Sequence, residues 1–197
     1  LFICIFNGGV AVLPTSVHFD PQRVLGLVEN HGVTTLSIIG DAMGRPLAEA
    51  RMDPGCEHDT SALKAISTGG ALLTAGVRDL LREAFGGIYI SGGIGSSEIG
   101  TAARETTHFD AATGPRFALD NRVAVLDDEL RPIAPGSGGI GLIARRGDIP
   151  LGYYKDPEKT ASTFRIDPDG VRWVLPGDWA RVEDDGTISL LGRGSQC

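Results

Sequence analysis

Cysteine is scarce: Cys4, Cys56 and Cys197 are the only three in 197 residues. An odd count with no C-x-x-C spacing argues against a disulfide framework or a zinc site and fits a reducing, cytoplasmic compartment. The four histidines, His18, His31, His58 and His108, show no H-x-x-x-H or H-E-x-x-H spacing. Cys56 with His58 is the nearest approach to a ligand pair, and a polar loop accounts for both. No apolar run approaches the ~20 residues of a transmembrane helix. Positive charge is also short, with 18 Lys and Arg against 25 Asp and Glu, a net charge of −7. That balance argues against nucleic acid or an anionic membrane as the main partner. With 42% hydrophobic and 22% charged residues, the chain is globular and long enough for one large domain or two small ones.

What is abundant is glycine, 28 of 197 residues. That is about twice the usual share, without the G-X-Y period of collagen. The glycines cluster at 8–9, 69–70, 92–95, 136–141 and 192–194. Clusters of this kind mark backbone at positive φ, or backbone approached closely by a ligand or another segment.

The first hundred residues alternate strand and helix patterns, as a layered α/β sheet requires. Residues 2–6 and 10–13 read as short strands around Gly8-Gly9. Asp20-Pro21 starts a helix whose apolar face is Val24, Leu25 and Val28 and which Gly32 closes. Val33 to Ile39 reads as a buried strand, a short helix fits within 41–51, and a strand around Ala65-Ile66 ends in Ser67-Thr68-Gly69-Gly70. Thr74 caps the strongest helix, running to Phe85, with Val77, Leu80, Leu81, Ala84 and Phe85 at helical spacing. Ile88 to Ser91 is a strand that runs into a glycine-rich loop, Gly92 to Gly100.

Beyond about residue 112 short strands recur at 122–126, 140–145, 171–175, 179–183 and 187–191. Asp184-Asp185-Gly186 is a hairpin turn and 157–164 the one helix signal. The expected fold is α/β over 1–111, followed by a β-rich, barrel-like subdomain over 112–192. Both ends look cut from something longer: the chain opens on a strand pattern without an initiator Met and stops just after one.

The loop at 92–100 carries the most chemistry. A glycine-rich turn at the C-terminal end of a strand in an α/β sheet is a usual address for a ligand. It is neither a Walker A loop, since no Lys-Ser/Thr follows, nor a dinucleotide fingerprint, since Glu98 stands where a third glycine would be. There is no G-x-S-x-G elbow for a serine hydrolase. The loop offers hydroxyls and a carboxylate, Ser96, Ser97 and Glu98, a set suited to a phosphate oxygen bridged to Mg²⁺. A polar loop in which Glu98 caps the next segment reads the same residues without a ligand. Ser67 to Ala71, Pro176-Gly177-Asp178 and Leu191-Gly192-Arg193 are each weak alone, and each also reads as a turn or a surface charge.

Taken together and in order, these segments resemble the adenylate-forming superfamily of acyl-CoA synthetases, luciferases and peptide-synthetase adenylation domains. Ser67-Thr68-Gly69-Gly70-Ala71-Leu72 matches the family's Gly-Gly-Ala-Pro segment, and Ile94-Gly95-Ser96-Ser97-Glu98 its Tyr-Gly-x-Thr-Glu. Pro150-Leu151-Gly152-Tyr153-Tyr154, with Asp156-Pro157-Glu158-Lys159-Thr160 following, matches its Gly-Tyr segment. Pro176-Gly177-Asp178 matches Thr-Gly-Asp, and Gly192-Arg193 the hinge Gly-Arg. The resemblance covers essentially the whole chain.

It implies an ATP-dependent acyl-CoA ligase, most similar to ligases of fatty or other bulky apolar acids, using ATP/AMP, Mg²⁺ and coenzyme A. By the resemblance, Ser97 and Glu98 are the catalytic pair: Ser97 bonds a phosphate and Glu98 holds the metal. Gly70, Ala71, Gly93 and Ile94 line the adenine, Asp178 accepts from the ribose hydroxyls, and Arg193 donates to ribose or phosphate. Departures are Ile94 for an aromatic, which weakens base stacking, Ser97 for Thr, which keeps the hydroxyl, and Pro176 for Thr, which removes one.

The family's upstream phosphate loop and its small C-terminal domain are expected outside this chain. Residues 193–197 would then begin the hinge, with Ser195 where Asp or Lys is common, and the segment alone would not complete the reaction. An acyl-AMP ligase feeding a carrier protein, a non-catalytic nucleotide-binding or interaction module and, less favoured, a dinucleotide-binding domain stay open at this point. So do a homodimer and peripheral attachment to a membrane.

Overall fold

The computed structural model describes residues 2–110 and 114–194, which divide into two compact units at Ser91/Gly92. The change of texture expected at 111/112 falls in the segment 111–113, outside the described residues.

The first unit holds α1 (Phe2–Phe6), α2 (Pro21–His31), β1 (Thr35–Ile38), α3 (Gly40–Met52), β2 (Ala65–Thr68) and α4 (Ala75–Ala84). Helix α2 is built as its sequence dictates. The Asp20 carboxylate accepts from the Arg23 N–H, Pro21 fills the first turn, and Gly32 ends the helix in the left-handed region. Its Val24, Leu25 and Val28 are buried, as are Leu47 of α3, Ile66 of β2 and Val77 and Leu81 of α4. These side chains make one core under a parallel β1–β2 pair in which Thr35 faces Ala65 and Ile38 faces Thr68. A strand, a helix and a parallel strand in succession form the βαβ crossover that parallel pairing demands.

The second unit takes in the end of β3 (Tyr89–Ser96), then β4 (Gly100–Asp110), β5 (Gly114–Leu119), β6 (Val123–Leu126) and β7 (Ile140–Arg146). After these come α5 (Pro157–Thr163), β8 (Phe164–Ile166), β9 (Arg172–Val174), β10 (Asp178–Val182) and β11 (Ile188–Arg193). The strand order is β3-β4-β5-β11-β10-β7-β9-β8, with β6 also on β7. The pairs from β3–β4 onward are antiparallel. Ile99, Val125, Ile143, Val174, Ala180 and Ile188 are buried in its core.

Five expectations are corrected. Residues 2–6 form a short helix rather than a strand, residues 10–13 form no strand, and Ile5 and Phe6 are exposed. Strand β1 is shorter than 33–39 and buries only Ile38. The glycine-rich stretch is not a loop as far as Ser96: β3 continues through it, and only residues 97–99 turn. The β-rich part is an open sheet rather than a barrel, since among the described residues no ladder joins β8 back to β3. Strands β4 and β5 escape a sequence reading for a physical reason. Among the described residues of β4 the fully buried ones are Ala102 and Ala103, and its β-branched residues are threonines, so it shows no apolar run.

The β8–β9 hairpin turns on Asp167. Its Oδ2 accepts from the Trp173 indole N–H at 2.8 Å, and its Oδ1 from the N–H groups of Val171 and Asp169 at 2.8 and 3.0 Å. The Trp173 bond, followed by the backbone bonds, holds the Asp167 carboxyl below the usual carboxylate range. A depressed folded value stabilises the fold above the unfolded value of about 3.9, and that contribution is lost as pH falls through the folded value. Asp167→Asn is therefore expected to lower the Tm at pH 7, with the gap to wild type narrowing below about pH 4. Circular-dichroism melts across that range check it, and a gap independent of pH would contradict it.

Candidate functional site

The turn between β3 and β4 places Ser97 and Glu98 at the end of a tight hairpin. Ser96 and Gly100 are opposed partners that close it, and the Glu98 N–H donates to the Ser96 hydroxyl at 3.3 Å. Ile99 is buried and anchors the turn, Ser97 is exposed and Glu98 is half-buried. From β7, the Arg145 guanidinium donates to the carbonyls of Ile99 at 3.1 Å and Thr101 at 2.9 Å, which fixes the β4 side of the turn. From the segment before α5, the Tyr153 hydroxyl donates to Glu98 Oε1 at 2.7 Å.

Ser97, Glu98, Thr101, Asp120, Arg145 and Asp148 line a cavity of about 400 Å³ at this turn. Asp148 is paired with Arg122 at 2.5 Å. Among the described residues there is no group of three or more His, Cys, Asp or Glu side chains able to cage a metal ion. One carboxylate beside a hydroxyl fits a different use: Mg²⁺ keeps waters and phosphate oxygens as ligands and often takes only one or two from protein. The donor set thus fits a magnesium ion carried on phosphates.

Asp178 opens β10 and Arg193 closes β11, and the two are opposed partners in the β10–β11 ladder. Their fifteen-residue spacing is therefore the spacing of a hairpin, turned at Asp184-Asp185-Gly186 as expected. Just beyond, the Gly194 N–H donates to the Gly177 carbonyl at 3.0 Å, which keeps the two strand ends together. Asp178 is half-buried, and Ser195 lies outside the described residues. Gly93 and Ile94 lie in β3 before the turn. The Ile94 side chain is buried in the core of its unit, so what this position offers a ligand is backbone.

Gly70 and Ala71 belong to the first unit, in the loop between β2 and α4. The start of α3 grips this loop at both ends. The Gly40 N–H donates to Thr68 Oγ1 at 3.2 Å, and the Asp41 N–H to the Leu72 carbonyl at 3.1 Å. The Asp41 carboxylate accepts from the Thr74 N–H and hydroxyl, both at 2.8 Å. Thr74 sits at the N-cap of α4 but makes no side-chain capping bond, since its hydroxyl is turned to Asp41. Sequence reasoning missed Asp41, and the available signal was a Gly-Asp pair between a strand and a helix.

Gly40 has φ of +51°, and a Cβ there would stand 2.5 Å from the Leu72 carbonyl oxygen and 2.8 Å from the Ala71 Cβ. Gly40→Ala is expected to destabilise the protein by about 2 kcal/mol or more through strain and overlap. Urea unfolding measures it, and a loss of less than about 0.5 kcal/mol would contradict the clamp.

A family model described as AMP-binding enzyme matches residues 1–154. The chain is 41% identical over 204 residues to the 3-oxocholest-4-en-26-oate–CoA ligase of Rhodococcus rhodochrous, covering 99% of this chain and 36% of that protein. It is also 41% identical over 196 residues to the medium/long-chain-fatty-acid–CoA/3-oxocholest-4-en-26-oate–CoA ligase of Mycobacterium tuberculosis H37Rv, covering 98% and 35%. Among solved structures it is similar to the nonribosomal peptide synthetase FmoA3 (S1046A), with a TM-score of 0.82 at 23% identity, over 95% of this chain and 21% of that one. The chain thus spans about a third of the length of the curated relatives it matches.

Proposed function

For a chain that belongs to the AMP-binding enzyme family, we propose that the parent protein is an ATP-dependent acyl-CoA ligase for fatty acids or similarly bulky apolar acids, steroid acids included. The observation that carries this reading is 41% identity, over nearly the whole chain, to two ligases named for such acids. The substrate carboxylate attacks the α-phosphorus of ATP, forming the acyl-adenylate and releasing pyrophosphate. The CoA thiol then attacks the acyl carbonyl carbon, the thiol proton is lost, and AMP leaves with the electrons of the acyl–oxygen bond.

The candidate residues of the second unit each have a part in binding. Asp178 accepts from the ribose hydroxyls and Arg193, opposite it in the ladder, donates to ribose or phosphate. Gly93 and Ile94 offer backbone to the adenine. Ser97 donates its hydroxyl to a phosphate oxygen, and Glu98 holds Mg²⁺, whose charge offsets that of the phosphates. Reactions of this kind rest mainly on positioning and on neutralising charge.

Among the described residues no helix is long and apolar enough to cross a membrane, and Cys4 and Cys56 are free thiols. The free thiols support a cytoplasmic site of action. Nucleotide binding tests the reading in these 197 residues. AMP is expected to bind saturably, and Asp178→Ala to weaken it at least tenfold through the loss of charge-assisted hydrogen bonds. Isothermal titration measures both, and the absence of saturable AMP binding by the wild-type chain would overturn the reading. In the whole protein, AMP release that depends on both an apolar acid and CoA separates a CoA ligase from an enzyme that stops at the adenylate.

A further inference from the structure

The Gly152-Tyr153 segment and the Asp156-to-Thr160 segment are prominent in the sequence, yet none of the roles above uses them. In the structure they form one small device. Asp156 caps α5, its carboxylate accepting from the Lys159 N–H at 2.9 Å. The cap sets the first turn of α5, and Thr160 in that turn faces back along the chain. Its hydroxyl donates to the Asp156 carbonyl at 2.6 Å and accepts from the Tyr153 N–H at 2.9 Å. Position 152 has to be glycine for this approach, because a Cβ there would stand 2.5 Å from the Thr160 methyl.

The Tyr153 ring is held from two further sides. The Lys159 ammonium lies 4.2 Å from the ring centroid, and Phe164, the residue after α5, meets it edge-on at 5.9 Å between centroids. Backbone and ring face are fixed by α5, and Phe164, which opens β8, packs against the ring. What remains of the side chain is the hydroxyl, and it donates to Glu98 at 2.7 Å, across 55 residues of sequence.

We propose that Tyr153 is a positioning residue for Glu98, orienting its carboxylate toward a phosphate-borne Mg²⁺, and that α5 with its Asp156 cap exists to aim the phenol. The proposal rests on the reading of Glu98 as the metal-holding carboxylate. An ionised carboxylate has about four acceptor sites, so a phenol bond fixes its plane without exhausting its capacity for a cation. Partners of this kind orient a metal ligand, and their removal commonly weakens metal affinity 10- to 100-fold.

The test uses the 197-residue chain, Mg²⁺ and the non-hydrolysable ATP analogue in which an imido group bridges the β- and γ-phosphates. Calorimetry gives the Mg²⁺ concentration at which analogue binding is half-maximal, and metal-free AMP binding is measured alongside. Tyr153→Phe, which keeps the ring contacts with Lys159 and Phe164, is expected to raise the half-maximal Mg²⁺ concentration about tenfold while leaving metal-free AMP binding unchanged. Glu98→Gln is expected to raise it at least as much. If Glu98→Gln raises it and Tyr153→Phe does not, the positioning role is overturned and the function of Glu98 stands. If Tyr153→Phe lowers the Tm and weakens AMP binding without moving the Mg²⁺ dependence, Tyr153 is structural only and the proposal is overturned. If analogue binding by the wild-type chain does not depend on Mg²⁺ and Glu98→Gln leaves it unchanged, the reading of Glu98 falls and the proposal with it.

Discussion

The Glu98 carboxylate sits on a turn of three residues and is held there by bonds from other parts of the second unit. Three residues between β3 and β4 cannot fix Glu98 by themselves. Ile99 buries itself beneath the turn, Arg145 from β7 holds two carbonyls on its β4 side, and Tyr153 holds the carboxylate. The two hydrogen-bonding supports come from segments 44 to 55 residues away in sequence, so they exist only once the antiparallel sheet has formed. The geometry of the turn therefore depends on the packing of the sheet, and local propensity contributes little.

The same logic recurs in the first unit with different chemistry. The loop carrying Gly70 and Ala71 is glycine-rich and exposed, and glycine-rich loops lose much conformational entropy when they are ordered. Here the ordering is supplied from outside, by the start of α3. Two backbone N–H groups and one carboxylate, all from Gly40 and Asp41, bind Thr68, Leu72 and Thr74. In both units the residues expected to touch a ligand are small or flexible, and their placement is the work of neighbours from other segments.

This division explains what could be read from the sequence. Helix α2 and the hairpin at Asp184-Asp185-Gly186 carry local signals, a cap, a proline and turn residues, and they form as expected. The family was legible as well, because the types and order of its motif residues are distinctive. Strand β4 was not, since alanines and threonines satisfy a half-buried strand without an apolar run. Asp41, Arg145 and the hydroxyl of Tyr153 were also hidden in their roles, because each acts on a distant segment. The glycine cluster at 136–141 finds a partial reason only in three dimensions: a Cβ at Gly141 would overlap the carbonyl of Leu126 on the neighbouring strand.

The central claim of the proposed function is that the second unit holds a nucleotide, with its phosphate at the β3–β4 turn and its ribose at the start of β10. A crystal structure of the chain grown with AMP and Mg²⁺ examines both contacts at once. The account predicts the phosphate within hydrogen-bonding reach of Ser97, the metal on Glu98 and the ribose hydroxyls on Asp178. A nucleotide bound elsewhere, with Glu98 and Asp178 both out of reach of it, would contradict the account.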